Sequence, residues 1–549
     1  MAPSATRTKC LPICKGWNSG VNILGLADGT DAGAALIVDD HVVATVEQER
    51  LDRRPHSRGV PWAAADEALK VAGLSRRDVD MVAIAGRFSP LFFLRRHPTW
   101  RRLAQDAFSP LLDVSVFYQA LLRQTGFGAL EADRTAEWFH HQLRERGFGM
   151  RRTLLVDVHR CLAEAAHRCQ PREPVLVLTL HPNGDGVALA TYRGSVGQLD
   201  KLWSQKGFAS LHVHLKRCLA AMDLPRGDEA LAWSLATRAE PDPALVAHLD
   251  GLLQADGPRL SRKRYPFPER REAYEPLARA NVEVAAASLL ENLSRVVCAL
   301  VRHHIGQSGL RRVALGGGVF ENPWLVARVA ELPEVDEVWT PPLQGWASLA
   351  LGAAASVGGM APGLLQGPGL GASADPERCR KLVSGRPHES LSLEAVADVI
   401  AAGGAVGRCE GRGGFGRHGG GTRSVLLAPT RDGIARALEG LERHPGELPV
   451  LARRPTLRMS KVTGPLRHGA VAAEGPLGKL ATQEVHEGDD PQLAALLTRL
   501  EERGMAPELA VLPLGMGSEP AVATPEDALS VFNRSKLEAL WLGPSLVRR

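Results

Sequence analysis

Apolar residues recur along this chain with two spacings, and the alternation of those spacings predicts its architecture. Asn22 to Val46 reads as strand in two segments, NILGLA and GAALIVDD–HVVATVE. The small, polar stretch Asp28 to Gly33 turns between them, and Asp39-Asp40 marks a further turn. Helical spacing covers 61–74, and Met81 to Ala85 is a short buried strand. Residues 87–145 are rich in arginine and aromatics and read as mostly helical, with the basic cluster LFFLRRHPTWRR as a solvated face. Strand signals return at 154–158 and 175–180. The second runs into the turn His181 to Gly186 and a further strand, VALATY. A long amphipathic helix is expected over 275–304. It is followed by a strand at 312–315, the turn Gly316-Gly317-Gly318, a helix from Pro323, a strand at 335–339 and a helix SLALGAAASV.

The run GGMAPGLLQGPGLGASA is a linker by composition. Beyond it lie a helix at 393–402, a glycine-dense loop from Gly411 to Gly421, and a terminal helix. That helix has Thr524 as N-cap, Pro525 at its first position and acids in its first turn. The expected division is a tail 1–20, a domain 21–357, a linker 358–385 and a domain 386–549.

Composition narrows the function classes. At 549 residues, 44% hydrophobic and 23% charged, the chain can bury a core, which excludes wholesale disorder. Aromatics are only 5%, and a net charge of +5 is spread over 66 basic and 61 acidic residues, so no nucleic-acid partner is expected. Eight cysteines without a CxxC pair read as reduced thiols in the cytoplasm. The N-terminus lacks the apolar stretch of a signal peptide, and no uncharged apolar run approaches the roughly 18–20 residues that span a bilayer, so no membrane partner is expected.

Three segments place glycine and a polar side chain in a turn after a strand: 22–40, 178–190 and 313–322. Amides freed by glycine can approach phosphate oxygens, and an aspartate in such a turn can hold a metal or water. In this order they resemble the actin-like nucleotide-binding fold. Longer motifs make the likeness specific. They are Thr30 to Leu36; Gln48-Glu49-Arg50; Pro55-His56 with Val60-Pro61; Leu178 to Gly186; and Gly317-Gly318-Val319-Phe320-Glu321-Asn322. In the second region they are Gly411 to Ser424 and Ser518 to Ala528. In register over nearly the whole length, the chain resembles the O-carbamoyltransferase family of the nodulation and cephamycin carbamoyltransferases.

The resemblance implies an α/β protein: a duplicated actin-like (ASKHA) N-terminal domain, then a C-terminal α/β domain similar to threonylcarbamoyl-adenylate synthases. The C-terminal domain would make carbamoyl-adenylate from ATP and carbamoyl phosphate. The N-terminal domain would pass the carbamoyl group to a hydroxyl of a small molecule or natural product. By this resemblance the catalytic candidates are His56, Asp31 and Asp185. The nucleotide- and phosphate-binding candidates are Gly184, Gly317, Gly318, Asn322, Arg412, Arg423, Ser424 and Lys479.

The pattern also departs from the family. Arg160 and Glu164 stand where two metal-ligating histidines belong, and Trp346 stands where an aspartate belongs, so the family's metal site is lost and no metal is expected. Arg160 and Glu164 read instead as an i, i+4 ion pair. His181, Leu231, Gly414 and His418 replace further polar or charged residues. Two readings remain: a carbamoyltransferase with an altered, metal-free site, or a non-catalytic homologue that partners an active carbamoyltransferase or binds a ligand without turnover.

Overall fold

The computed structural model describes residues 20–87, 127–168, 174–182, 184–206, 209–224, 229–262, 271–341, 347–358, 369–414, 419–454, 462–463, 473–475 and 478–549, with single positions at 108, 121, 125 and 416. The basic cluster LFFLRRHPTWRR lies outside these residues, and the helix Phe127–Glu145 follows it.

Three strands open the chain: β1 (Asn22–Ala27), β2 (Gly33–Val38) and β3 (His41–Glu47). The second expected segment divides because Asp39 and Asp40 both adopt positive φ, 49° and 63°. That is the backbone of a tight two-residue hairpin, and aspartate tolerates it better than most residues. β4 (Met81–Ala85) and β5 (Arg152–Val156) complete a sheet of order β3-β2-β1-β4-β5. Strands β1 to β3 pair antiparallel, while β4 and β5 run parallel to β1.

A second sheet repeats this plan. β6 (Val175–Leu180), β7 (Val187–Ser195) and β8 (Gln198–Lys206) form the antiparallel part. After a small separate hairpin of β9 (Gln254–Asp256) and β10 (Arg259–Ser261), β11 (Arg312–Gly316) and β12 (Glu337–Trp339) add in parallel. Read outward from β8, the order β8-β7-β6-β11-β12 matches β3-β2-β1-β4-β5 strand for strand. The duplicated order and the shared strand directions are those of the actin-like fold.

Two helices, Val158–Arg168 and Ala347–Val357, pack against each other and against the sheets. Their small apolar residues, among them Ala163, Ala166, Ala353 and Ala354, share one core with Ile23, Ala83, Val177 and Ala314 of the two sheets. The approach is close: a Cβ on Gly352 would overlap the Cys161 carbonyl oxygen, so only glycine fits there.

The long helix expected over 275–304 is two helices, Glu275–Arg279 and Val282–Ser308. The break falls at Asn281, whose side chain accepts from the amides of Glu283 at 2.9 Å and Val284 at 3.3 Å and so starts the second helix. By length and composition that helix could cross a membrane, but 72% of its most apolar window is buried within the protein.

The C-terminal region is built on an eight-stranded mixed sheet with a hydrophobic core on each face. Its last helix, Pro525–Arg534, begins with the expected N-cap Thr524, which with Asp527 forms a full capping box. Such a cap contributes about 1 kcal/mol. The expected boundaries need two corrections. Residues assigned to the linker form the helix Pro376–Val383, whose Cys379 and Val383 are buried in the third core, because its apolar face needs that cover. Val462–Thr463, far into the C-terminal region, pairs in parallel with β12 and extends the second actin-like sheet.

Candidate active site

The turn after β1 and the loop after helix Gln48–Asp52 meet at one point. Asp31 and His56 each hold φ near +56°. Backbone bonds lock both loops: the Ala32 amide to the Ser57 carbonyl at 2.9 Å and the Gly59 amide to the Asp28 carbonyl at 3.2 Å. In this frame His56 Nδ1 lies 2.7 Å from Asp31 Oδ1, and the His56 amide donates to Glu49 Oε2 at 2.8 Å.

The charges in this cluster shift one another. The hydrogen bond to Asp31 raises the His56 pKa above its ordinary value, and the negative charges of Asp31 and Glu49 add to that, against the effect of burial. Burial, with the nearby charges of Glu47 and Asp31, pushes the Glu49 carboxyl up to about 7. Ligand atoms of Asp31, Glu49 and His56 all lie within 4.8 Å of one another, the one such group among the described residues. A divalent cation could be shared there, although His56 already engages both carboxylates.

The second actin-like half carries a further group of titratable residues. Ser210 caps helix Leu211–Ala221, which carries His212 and Lys216 four residues apart on one face. His212 Nε2 lies 3.5 Å from Oε1 of Glu229, the first residue of helix Glu229–Ala236. Burial alone would raise the Glu229 carboxyl, but the bond to His212 and the charges of His212, Lys216 and His56 hold it below its ordinary value. Burial lowers the Lys216 pKa against the attraction of Glu229 and Asp31, and it lowers the Arg58 pKa against the attraction of Asp31. His181 is driven well below its ordinary value by burial and by neighbouring His159, His212 and Lys216, so it stays neutral. The charges of Lys216 and Asp31, and of Glu229 and His56, are felt across the two halves.

Of the expected catalytic residues, Asp31 and His56 come together, and Asp185 does not join them. It is fully buried at φ 54°, and its carboxylate accepts from the Val158 amide at 2.8 Å at the start of helix Val158–Arg168. Gly184 lies in the same turn, tight against Val158. Gly317 has φ 129°, and a Cβ there would overlap the Leu180 carbonyl oxygen; Gly318 begins the short 3-10 turn that follows. Asn322 caps helix Pro323–Ala330, accepting from Trp324 and Leu325. These residues shape the turns of the second actin-like half.

The expected C-terminal anion holders are placed differently from the expectation. Arg423 is fully buried, and its three nitrogens donate to the carbonyls of Ala523, Glu410, Thr422, Ala372 and Gly411. Arg412 donates to the carbonyls of Val43, Leu370 and Gly371. Both therefore hold the glycine-rich loop to its surroundings. Ser424 is buried in a central strand. Lys479 falls in a two-stranded hairpin, and its side chain lies outside the described residues. His418 and Trp346 also lie outside them.

At the family's metal position, Glu164 is buried between two arginines. It pairs with Arg160 Nη2 through Oε1 and with Arg168 Nε at 3.0 Å through Oε2. His159 is occupied as well, with Nδ1 2.8 Å from Thr179 Oγ1 and Nε2 2.9 Å from the Val187 carbonyl. A carboxylate spent on two guanidiniums and an imidazole with both nitrogens bonded do not fit the family's metal. Sequence reasoning missed Glu49, Arg58, His212 and Lys216 as site residues. Glu49 had a signal in the motif Gln48-Glu49-Arg50; Lys216 had only its spacing from His212.

No family model matches the chain. It is 25% identical over 562 aligned residues to nodulation protein NolNO of Sinorhizobium fredii, covering 94% of this chain and 79% of that protein. It is 26% identical over 437 residues to nodulation protein NolO of Bradyrhizobium diazoefficiens, covering 72% and 79%. Among solved structures it is similar to component A of the Acidaminococcus fermentans (R)-2-hydroxyglutaryl-CoA dehydratase, with 14% identity, a TM-score of 0.35, and 61% and 97% of the two chains covered. With the motifs in register along the chain and relatives of this kind over most of its length, the chain is similar to the O-carbamoyltransferase family.

Proposed function

We propose that this protein transfers a carbamoyl group to a hydroxyl of a small molecule in the cleft between its actin-like halves, with His56 as the general base. The observation that carries this reading is the 2.7 Å contact between His56 Nδ1 and Asp31. With Nδ1 committed to the carboxylate, Nε2 is the nitrogen left to take a proton, and the carboxylate stabilises the imidazolium that results. The acceptor oxygen attacks the carbamoyl carbon, its proton passes to Nε2, and the bond between that carbon and the donor oxygen breaks. With carbamoyl-adenylate as donor, AMP leaves. The donor would come from ATP and carbamoyl phosphate in the C-terminal domain, of the threonylcarbamoyl-adenylate synthase type. No step runs through the family's metal, because Arg160, Glu164 and Arg168 satisfy one another where it would sit.

A second reading has one specific support. Arg412 and Arg423 spend their donors on carbonyl oxygens, which favours a non-catalytic homologue that works beside an active carbamoyltransferase. One experiment separates the two. The full chain is incubated with ATP, carbamoyl phosphate and methanol as surrogate acceptor, and methyl carbamate and pyrophosphate are measured. Both products are expected; the absence of both favours the second reading.

A further inference from the structure

We propose that Arg53 and Glu519 are positioning residues for His56: their contact fixes, from the C-terminal region, the loop that carries the proposed base. Helix Gln48–Asp52 holds that loop on both sides of the histidine. Glu49 accepts the His56 amide at 2.8 Å, while Asp52 accepts the Ser57 hydroxyl at 2.7 Å and the Arg54 amide at 3.1 Å. Between helix and loop stands Arg53, with φ 59° and ψ 24°. A residue with a Cβ takes this left-handed conformation at a cost and keeps it only where its surroundings impose it.

Those surroundings come from the far end of the chain. Arg53 Nη2 lies 2.9 Å from Glu519 Oε2, its one ion pair among the described residues, and both side chains are half-buried. Glu519 is held in turn by Arg534 of the last helix, which donates to its two carboxylate oxygens at 3.0 and 3.1 Å. A carboxylate gripped by that planar fork has little freedom to move. Arg50 fixes the short helix itself to the carbonyl of Gly414 at 2.8 Å, and Arg53 sets the direction in which the chain leaves it. Position matters to a base: Nε2 can face an acceptor only while Nδ1 stays on Asp31.

The inference rests on His56 as the base, but it is tested without turnover, so a failed transfer assay and a failed positioning test are different results. The full chain with isotope-labelled histidine is titrated by NMR, with the His56 signal identified by its absence in His56→Gln. Hydrogen exchange of the peptide carrying His56 is followed by mass spectrometry. Glu519→Ala and Arg53→Gln, each checked for folding by circular dichroism, cut the contact from opposite sides. Each is expected to speed that exchange about tenfold. Each should also lower the His56 midpoint toward the ordinary 6.5, because the Asp31 contact that raises it is loosened. Loss of a distant anion would lower the midpoint and loss of a distant cation would raise it, so a fall in both variants reports position rather than charge. Arg548→Ala, which cuts the pair with Glu389 elsewhere in the C-terminal region, should leave both readings unchanged. Wild-type behaviour in both cut variants, midpoint shifts of opposite sign, or the same changes in Arg548→Ala would overturn the proposal.

Discussion

Glu49 and Arg50, adjacent on one short helix, serve different domains. Glu49 accepts the amide of His56 at 2.8 Å in the N-terminal region, while Arg50 donates to the carbonyls of Gly414, at 2.8 Å, and Gly416 in the C-terminal glycine loop. Glu47, at 2.5 Å from Arg50 Nε, completes the guanidinium's partners. The five residues Gln48–Asp52 thus connect the candidate base to the loop that sequence reasoning assigned to phosphate.

Replacing Arg50 with alanine leaves two carbonyls and Glu47 without their donor at a buried position. The expected loss is about 2–4 kcal/mol, read as a lower midpoint in chemical denaturation. Arg50→Lys should recover little of it, since one ammonium cannot reproduce the planar fork that spans both carbonyls. A midpoint unchanged in Arg50→Ala would show that the domain contact does not depend on this residue.

Glu49 carries a pH signature. Its folded pKa, about 7, exceeds the ordinary 4.5. Between those values the unfolded chain ionises first, so the folded state loses stability as pH rises, and above 7 the penalty is complete. Glu49→Gln keeps an oxygen for the His56 amide and removes the penalty. Its melting midpoint should match wild type near pH 4.5 and exceed it at about pH 8. The NMR titration of His56 should also shift downward in this variant, because one of the charges that raise its pKa is gone. A pH-independent difference in midpoint would contradict the assignment.

Glu164 is a structural ion-pair partner here. Glu164→Ala strands Arg168, itself nearly buried, and is expected to cost about 3–5 kcal/mol in denaturant unfolding. Glu164→His, which offers a metal ligand instead, should be comparably destabilised and should gain no stability from added zinc. Rescue by zinc would mean that the family's site is still accessible at this helix.

Gly317 tests the backbone of the second half. At φ 129°, with the Leu180 carbonyl where a Cβ would sit, Gly317→Ala should fold poorly or melt far below wild type. Gly385, with open space around its would-be Cβ, provides the control: Gly385→Ala should change the midpoint by less than about 1 kcal/mol equivalent.

The strands and caps were legible because they depend on local pattern. The alternation of β1 to β3, the turn at Asp39-Asp40 and the Thr524 capping box all follow from neighbouring residues. Asp31 and His56 were legible for a related reason, since their motifs lie within one supersecondary unit. The contact of His212 with Glu229 was not, because it joins side chains of two separate helices. Arg423 shows the converse: an arginine beside a glycine turn reads as a phosphate clamp until the fold surrounds it with carbonyls. The strand Val462–Thr463 is too short to show any periodicity, so its return to the N-terminal sheet has no signal in the sequence.

The central claim is that the Asp31–His56 pair moves a carbamoyl group, and one comparison tests it most directly. Methyl carbamate formation from carbamoyl phosphate, ATP and methanol is followed for the wild-type chain, His56→Ala and Asp31→Asn, with folding of each verified by circular dichroism. The account predicts product from wild type and a fall of about 10²–10⁴-fold in His56→Ala, the usual contribution of a general base, with a smaller fall in Asp31→Asn. Equal rates in wild type and folded His56→Ala, or no product from wild type at all, would contradict it.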